Sequence, residues 1–172
     1  MIKSTVIPLS VIAISLVACV TDVRSRRIPN VLTFGAALGG LLFQILAGGF
    51  QGGLAAAGGW LVGTLLFLPF FLLRGMGGGD VKLLAGIGAW LGPAETFWLA
   101  AYSSLAGGAL AVIVALARGY LRTALQNVYF MLTYWRSVGL RPVPNFTLDS
   151  PKTPRLAYAI PIFAGTVMTL WP

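Results

Sequence analysis

Two aspartates are the residues of this 172-residue chain best suited to chemistry. The chain has four acidic side chains in all, and Asp22 and Asp80 each lie where an apolar segment meets a polar one. Two carboxyl groups held close together do not both ionise easily, so one keeps a proton while the other takes a proton from a shared water. Such a pair can hydrolyse an amide without a metal or a nucleophilic side chain.

Three glycines precede Asp80 and a lysine follows it. Gly77, Gly78 and Gly79 permit backbone angles that other residues avoid and let an extended peptide approach closely, so we expect them to contribute to substrate binding. Lys82 is either a further substrate contact or an anchor at the membrane surface. Each aspartate also has a structural interpretation: Asp80 is a favoured residue for a helix N-cap, and Asp22 is an ordinary charge beside arginines.

The residue types that are missing exclude other chemistries. The chain has no histidine and one cysteine, Cys19, so it can form neither an internal disulfide nor a cysteine-rich zinc site. Catalysis by a Ser-His or Cys-His pair is excluded as well. We therefore expect no metal and no cofactor.

The composition indicates that lipid surrounds the elements that position these residues. Hydrophobic residues make up 58% of the chain and charged residues 9%, which leaves no room for a sizeable soluble domain. The sequence predicts an all-α, polytopic integral membrane protein of about six transmembrane helices, forming a single domain over residues 1–172. The predicted helices cover residues 4–20, 31–47, 54–73, 81–91, 96–117 and 156–171, and the last is expected to bend at Pro161.

The fourth predicted helix is too short to cross a bilayer. Residues 81–91 span about 16 Å at 1.5 Å per residue, before Gly92 and Pro93. Either the helix continues through Pro93, or the glycine loop dips into the membrane and starts the helix below the surface; we favour the dip. The connection 118–155 predicts a cytoplasmic loop with an amphipathic helix along the membrane surface, followed by prolines 142, 144, 151 and 154.

Basic residues predict the orientation. Of the twelve, only Lys3 lies on one side of the six predicted crossings, so the other side is cytoplasmic and both termini are periplasmic. Asp22 and Asp80, 58 positions apart, then face the same cytoplasmic compartment. The basic residues flank apolar segments, which predicts contact with the lipid bilayer rather than with nucleic acid.

Two segments resemble the type IV prepilin peptidases, specifically the short form that serves Flp-type or tight-adherence pili. One runs from Thr21 to Asn30 and contains an aspartate, a basic stretch and Ile-Pro-Asn. The other, from Gly77 to Gly92, resembles the family's G-x-G-D-x-K-L-L motif. The segment from Leu156 to Pro161 is similar, more loosely, to the family's last helix.

The resemblance implies an aspartyl endopeptidase with Asp22 and Asp80 as its catalytic dyad. Its substrate would be a membrane-inserted prepilin, cut after a short basic leader at the cytoplasmic face of a bacterial inner membrane. Longer relatives also methylate the new N-terminus and carry a cysteine tetrad in an N-terminal domain. This chain begins at its first helix and has one cysteine, so we expect cleavage without N-methylation.

Two alternatives come from other classes of protein. Intramembrane proteases of the presenilin type share G-x-G-D, but their Tyr-Asp and Pro-Ala-Leu segments do not occur here. A small ion- or proton-coupled transporter, or a non-enzymatic assembly subunit, would use the aspartates to bind a cation or proton. A transporter should keep some function with Asp80→Glu and respond to ion gradients, whereas a protease should lose cleavage.

Overall fold

The computed structural model describes residues 2–141, 143 and 157–171, and this part of the chain is all helical, as the sequence predicts. The predicted prolines 142, 144, 151 and 154, and the predicted helix start at Leu156, lie outside these residues. The helices are α1 (Ile2–Ser25), α2 (Asn30–Leu72), α3 (Gly78–Leu91), α4 (Pro93–Ala117), α5 (Leu121–Val138) and α6 (Ala159–Leu170).

Helix α2 combines the second and third predicted helices and folds back on itself. Its 43 residues would extend about 65 Å if straight. Gly49 breaks the helix with φ 59° and ψ −143°, a conformation that favours glycine. Beyond this break, Gly52 packs so tightly against the Gln44 carbonyl that a Cβ at Gly52 would overlap it. The segments 30–48 and 50–72 are therefore two arms of a hairpin.

Helix α3 lies against both arms of this hairpin. A Cβ at Gly40 would meet the Ala89 and Trp90 backbone at 2.9 Å, and one at Gly59 would overlap the Gly88 carbonyl. Small residues allow helices to approach this closely, so contacts between backbones replace side-chain packing. Gln44 Nε2 donates to the Trp90 carbonyl at 2.7 Å, which fixes the end of α3. Eight of the fourteen residues of α3 are buried.

In the described part of the chain, three helices are long and apolar enough to cross a membrane: α1 from Lys3, α2 and α4. The fourteen residues of α3 extend about 21 Å, less than the roughly 30 Å of a hydrocarbon layer. Gly92, with φ 87°, ends α3, and Pro93 begins α4. The interpretation in which one helix continues through Pro93 is therefore wrong.

The end of α1 and the course of α6 differ from the prediction. Helix α1 continues to Ser25 instead of ending at Val20, which places Asp22 inside the helix. The predicted bend at Pro161 is wrong, because Pro161 is the third residue of α6. The first four N–H groups of a helix have no partner within it, so a proline there removes no hydrogen bond.

Helix α5 is the predicted amphipathic helix, and it lies on the outside of the molecule. None of its residues is buried by the described part of the chain. Within the same residues, its helix contacts are with α4 alone. Large apolar side chains such as Leu125 and Tyr129 are more than half exposed.

Candidate active site

Asp22 lies near the end of α1 and is almost completely buried, with 8% of its surface exposed. Arg26 ends the helix in a left-handed conformation with φ 54°. The Asp22 carboxylate accepts a hydrogen bond at Oδ2 from the backbone N–H of Ala159, at 3.3 Å. Ala159 is the first residue of α6, so the positive end of that helix faces the carboxylate.

Asp80 is the third residue of α3 and is partly buried. The N-cap position belongs to Gly77, so Asp80 is not the N-cap that a structural interpretation would make it. Its carboxyl accepts a hydrogen bond from the Gly77 backbone, while its own N–H donates to the Gly77 carbonyl at 3.1 Å. An acidic residue at this position reaching back to the N-cap N–H is half of a capping box. Asp80 therefore stabilises the start of α3 whatever else it does.

The structure brings the two aspartates together. The charge of Asp22 acts on the Asp80 carboxyl, although 58 positions separate them in the chain. The segments that carry them are also in contact: a Cβ at Gly79 would lie 3.2 Å from Ile28 Cβ. The two motifs thus form one site where α1, the start of α2 and the start of α3 meet.

The glycines before Asp80 serve close packing rather than unusual backbone angles. Among Gly77, Gly78 and Gly79, all within the described chain, none has a positive φ, so the predicted conformational reason is wrong. A Cβ at Gly77 would lie 3.0 Å from Asp80 Oδ2, and one at Gly78 would lie 3.2 Å from the Phe71 ring. A side chain at these positions would crowd the carboxylate or the elements around it.

Lys82 connects α3 to the start of α2. Its ammonium donates to Asn30 Oδ1 at 3.1 Å and lies 5.4 Å from the centre of the Phe34 ring. A cation over an aromatic face is stabilised by the ring's quadrupole. The side chain is nevertheless exposed, so this contact is compatible with both of the roles predicted for Lys82.

A tyrosine close to Asp80 was not predicted as a site residue. Tyr158 immediately precedes α6, and its side chain is hydrogen-bonded to that of Ser104. Burial raises the pKa of the Tyr158 phenol, and the charge of Asp80 adds to that rise, whereas the hydrogen bond with Ser104 opposes it. The sequence signal was weak: one tyrosine beside an apolar helix. The Ala159 N–H has no sequence signal, because every residue except proline has one.

The site has no further groups that suggest a metal centre. Among the residues that the structure describes, no three His, Cys, Asp or Glu side chains are grouped so as to hold an ion.

Comparison with known proteins places both aspartates in a shared region. The type IV leader peptidase family matches residues 9–112. A prepilin leader peptidase/N-methyltransferase from Aeromonas hydrophila is 39% identical over 105 residues, which are 58% of this chain and 36% of the relative. Proteins of the same name from Dickeya chrysanthemi and Neisseria gonorrhoeae are 44% identical over 78 residues and 36% identical over 105 residues. The first of these matches covers 41% of this chain and 27% of the relative, and the second covers 57% of this chain and 36% of the relative.

The matched region thus spans about a third of the length of the curated relatives. No solved structure gives a significant match. The family match covers more than half of the chain and contains α2, α3 and most of α1 and α4. The chain belongs to the type IV leader peptidase family.

Proposed function

We propose that this chain is an aspartyl endopeptidase embedded in a bacterial inner membrane, which removes the short basic leader from prepilins at the cytoplasmic face. The observation that carries the proposal is the meeting of Asp22 and Asp80, from motifs 58 positions apart, in a chain of the leader peptidase family. The substrate class comes from the relatives, which are named prepilin leader peptidases.

The chemistry follows from two coupled carboxyl groups. One is ionised and removes a proton from a water molecule, which attacks the carbonyl carbon of the scissile peptide. The other is protonated and donates a hydrogen bond to the oxyanion that forms on the carbonyl oxygen. The carboxyl group that took the proton from water then passes it to the leaving amine, and the C–N bond breaks as the oxyanion collapses to the new carboxyl group. Each side chain already has a backbone donor, from Ala159 or Gly77, which holds it in position.

Gly77, Gly78, Gly79 and Lys82 form the substrate side of the proposed site. The three glycines are partly exposed, and their backbone is the surface beside Asp80 that an extended peptide would approach. Lys82, held by Asn30 at the start of α2, keeps α3 against that helix. It also presents an ammonium group at the surface of the proposed site.

The proposed topology has six crossings in a single domain, with both termini periplasmic. The two arms of α2 run in opposite directions and count as two crossings. Lys3 supports the orientation, because it donates to Gln44 at the hairpin end of the bundle, while the arginines after Asp22 lie at the other end of α1. Helix α3, too short to span alone, begins below the cytoplasmic surface and places Asp80 near the end of a substrate's membrane helix.

The proposed reaction is cleavage without N-methylation. The curated relatives are named for both activities. The resemblance implies that methylation goes with a cysteine tetrad, and this chain has one cysteine, Cys19. Mass measurement of the pilin product distinguishes a free N-terminus from a methylated one. A methylated product would contradict this part of the proposal and leave the peptidase assignment intact.

The decisive experiment uses purified protein in detergent with a candidate prepilin. We expect Asp22→Asn and Asp80→Asn each to abolish cleavage, a loss of at least roughly a hundredfold, because both changes keep side-chain volume and remove acid-base function. Glu95→Gln is the matched control: Glu95 lies in the first turn of α4 and should be dispensable. Near-normal cleavage by either aspartate variant would remove that residue from the mechanism.

A further inference from the structure

The start of α6, which lies outside the residues that match the leader peptidase family, touches the proposed dyad. The family match ends at residue 112, and α6 begins at Ala159. The Ala159 N–H is nevertheless the donor that holds Asp22 Oδ2. The position of the Asp22 carboxylate therefore depends on where the chain enters α6.

Tyr158 fixes that entry point through contacts with two other helices. Its ring packs edge-on against Phe67 of α2, with centroids 5.8 Å apart. Its hydroxyl lies beside the Ser104 side chain of α4, whose Oγ also donates to the Ala100 carbonyl at 2.8 Å. The ring also lies directly over Gly107, where a Cβ would be 2.8 Å from Cε2 and 2.9 Å from the phenolic oxygen. The absence of a side chain at Gly107 thus leaves room for the Tyr158 ring.

We propose that Tyr158 is a positioning residue for the dyad: by docking on Gly107, Ser104 and Phe67, it sets the start of α6 so that the Ala159 N–H holds Asp22 facing Asp80. The inference rests on the proposed function. Tyr158 acts through Asp22 and need not touch the substrate. A displacement of about 1 Å at a reacting group can cost roughly a hundredfold in rate, so a small shift of α6 is enough to matter.

Adjacent glycines of α4 provide a matched pair of variants. Gly107→Ala places a methyl group against the Tyr158 ring, whereas Gly108→Ala adds one where nothing lies within 4 Å. Both glycines are helical, so the change in helix propensity is the same. We expect Gly107→Ala to lower kcat roughly ten- to a hundredfold with little change in KM, and Gly108→Ala to cleave normally.

A second pair tests the hydroxyl without disturbing the packing. Tyr158→Phe keeps the ring and removes the hydroxyl that faces Ser104, and Ser104→Ala removes the partner together with its own bond to the Ala100 carbonyl. We expect each to lower kcat by up to roughly tenfold, the effect of one hydrogen bond. Tyr102→Phe is the control, because Tyr102 stacks on Trp98 of α4. If Gly107→Ala loses thermal stability in detergent, this pair decides the question.

Hydrogen exchange provides a readout that does not depend on cleavage. The amide of Ala159, followed in a peptide covering residues 157–162, should exchange several-fold faster in Gly107→Ala and in Asp22→Ala, and at the normal rate in Gly108→Ala. Unchanged exchange in Gly107→Ala, or normal kcat in both Gly107→Ala and Tyr158→Phe, overturns the proposal. Loss of cleavage in the aspartate variants with normal kcat in these two would overturn this inference alone. Normal cleavage by Asp22→Asn would overturn the peptidase mechanism, and the exchange rates would still decide the position of Ala159.

Discussion

Helices α3 and α5 are similar in length, yet the molecule positions them in opposite ways. Helix α3 is buried along most of its length between the two arms of α2, where glycines and alanines bring backbones into contact. Helix α5 has no residue buried by the described part of the chain and contacts α4 alone. Asp80 is therefore carried by a helix that tight backbone contacts hold on both sides. In contrast, α5 takes its position from its neighbour and from whatever lies beyond its exposed apolar face.

The largest effect on stability should come from a methyl group placed between α2 and α3. A Cβ in Gly59→Ala would overlap the Gly88 carbonyl, which is backbone and cannot move away alone. We expect a loss of about 3 kcal/mol in the free energy of unfolding, the upper part of the range for overpacking. Gly35→Ala is the control on the same helix, because nothing lies within 4 Å of its Cβ. Thermal unfolding in detergent measures both; equal stability would show that α3 has room to shift.

A matched pair of leucines compares the two helices directly. Leu84 of α3 is fully buried, whereas Leu125 of α5 is 61% exposed. Leu84→Ala should cost about 2 kcal/mol through lost packing contacts, and Leu125→Ala less than about 0.5 kcal/mol. The same unfolding assay measures the difference. If Leu125→Ala lowers the free energy of unfolding as much as Leu84→Ala does, α5 packs against something in the native protein. The two helices would then not differ in how they are packed.

A smaller effect, on activity instead of stability, should follow from a methyl group beside Asp80. Gly77→Ala would place a Cβ 3.0 Å from Asp80 Oδ2 and so displace the carboxylate, which we expect to reduce kcat roughly tenfold. In Gly75→Ala the nearest atom is the Phe70 carbonyl oxygen at 3.6 Å, an ordinary contact, and cleavage should be normal. Prepilin cleavage assays on both variants test this. Indistinguishable rates would show that the start of α3 tolerates more than its tight packing suggests.

The sequence predicted the helices and the two aspartates because both follow from local features. Apolar runs give membrane helices, and a rare carboxylate beside such a run is visible in the sequence. The predicted end of α1, at Val20, is too early, because the polar residues that follow it look like a helix end in the sequence. In the structure, Thr21 donates to the Val17 and Ala18 carbonyls and Ser25 donates to the Thr21 carbonyl, so hydroxyls are satisfied within the helix.

The remaining errors concern contacts between segments far apart in the chain. The need for Gly77 and Gly78 comes from Asp80 and Phe71 packing against them, and a sequence does not show which side chains will be nearby. The Ala159 N–H belongs to the backbone and meets Asp22 only through the tertiary fold. For the same reason the sequence predicts no role for Tyr158, although the segment around it is loosely similar to the family's last helix.

The hydrogen bond between Ala159 and Asp22 joins residues 137 positions apart and thus has a consequence for biosynthesis. Asp22 leaves the ribosome early, and Asp80 follows after the α2 hairpin, at the start of α3. The donor for Asp22 is made only after α5 and the segment before α6, and closing a loop of this length has an entropic cost. A nascent chain that ends before α6 would carry both aspartates without the contact that holds Asp22. The site can therefore be complete only after Ala159 has been translated.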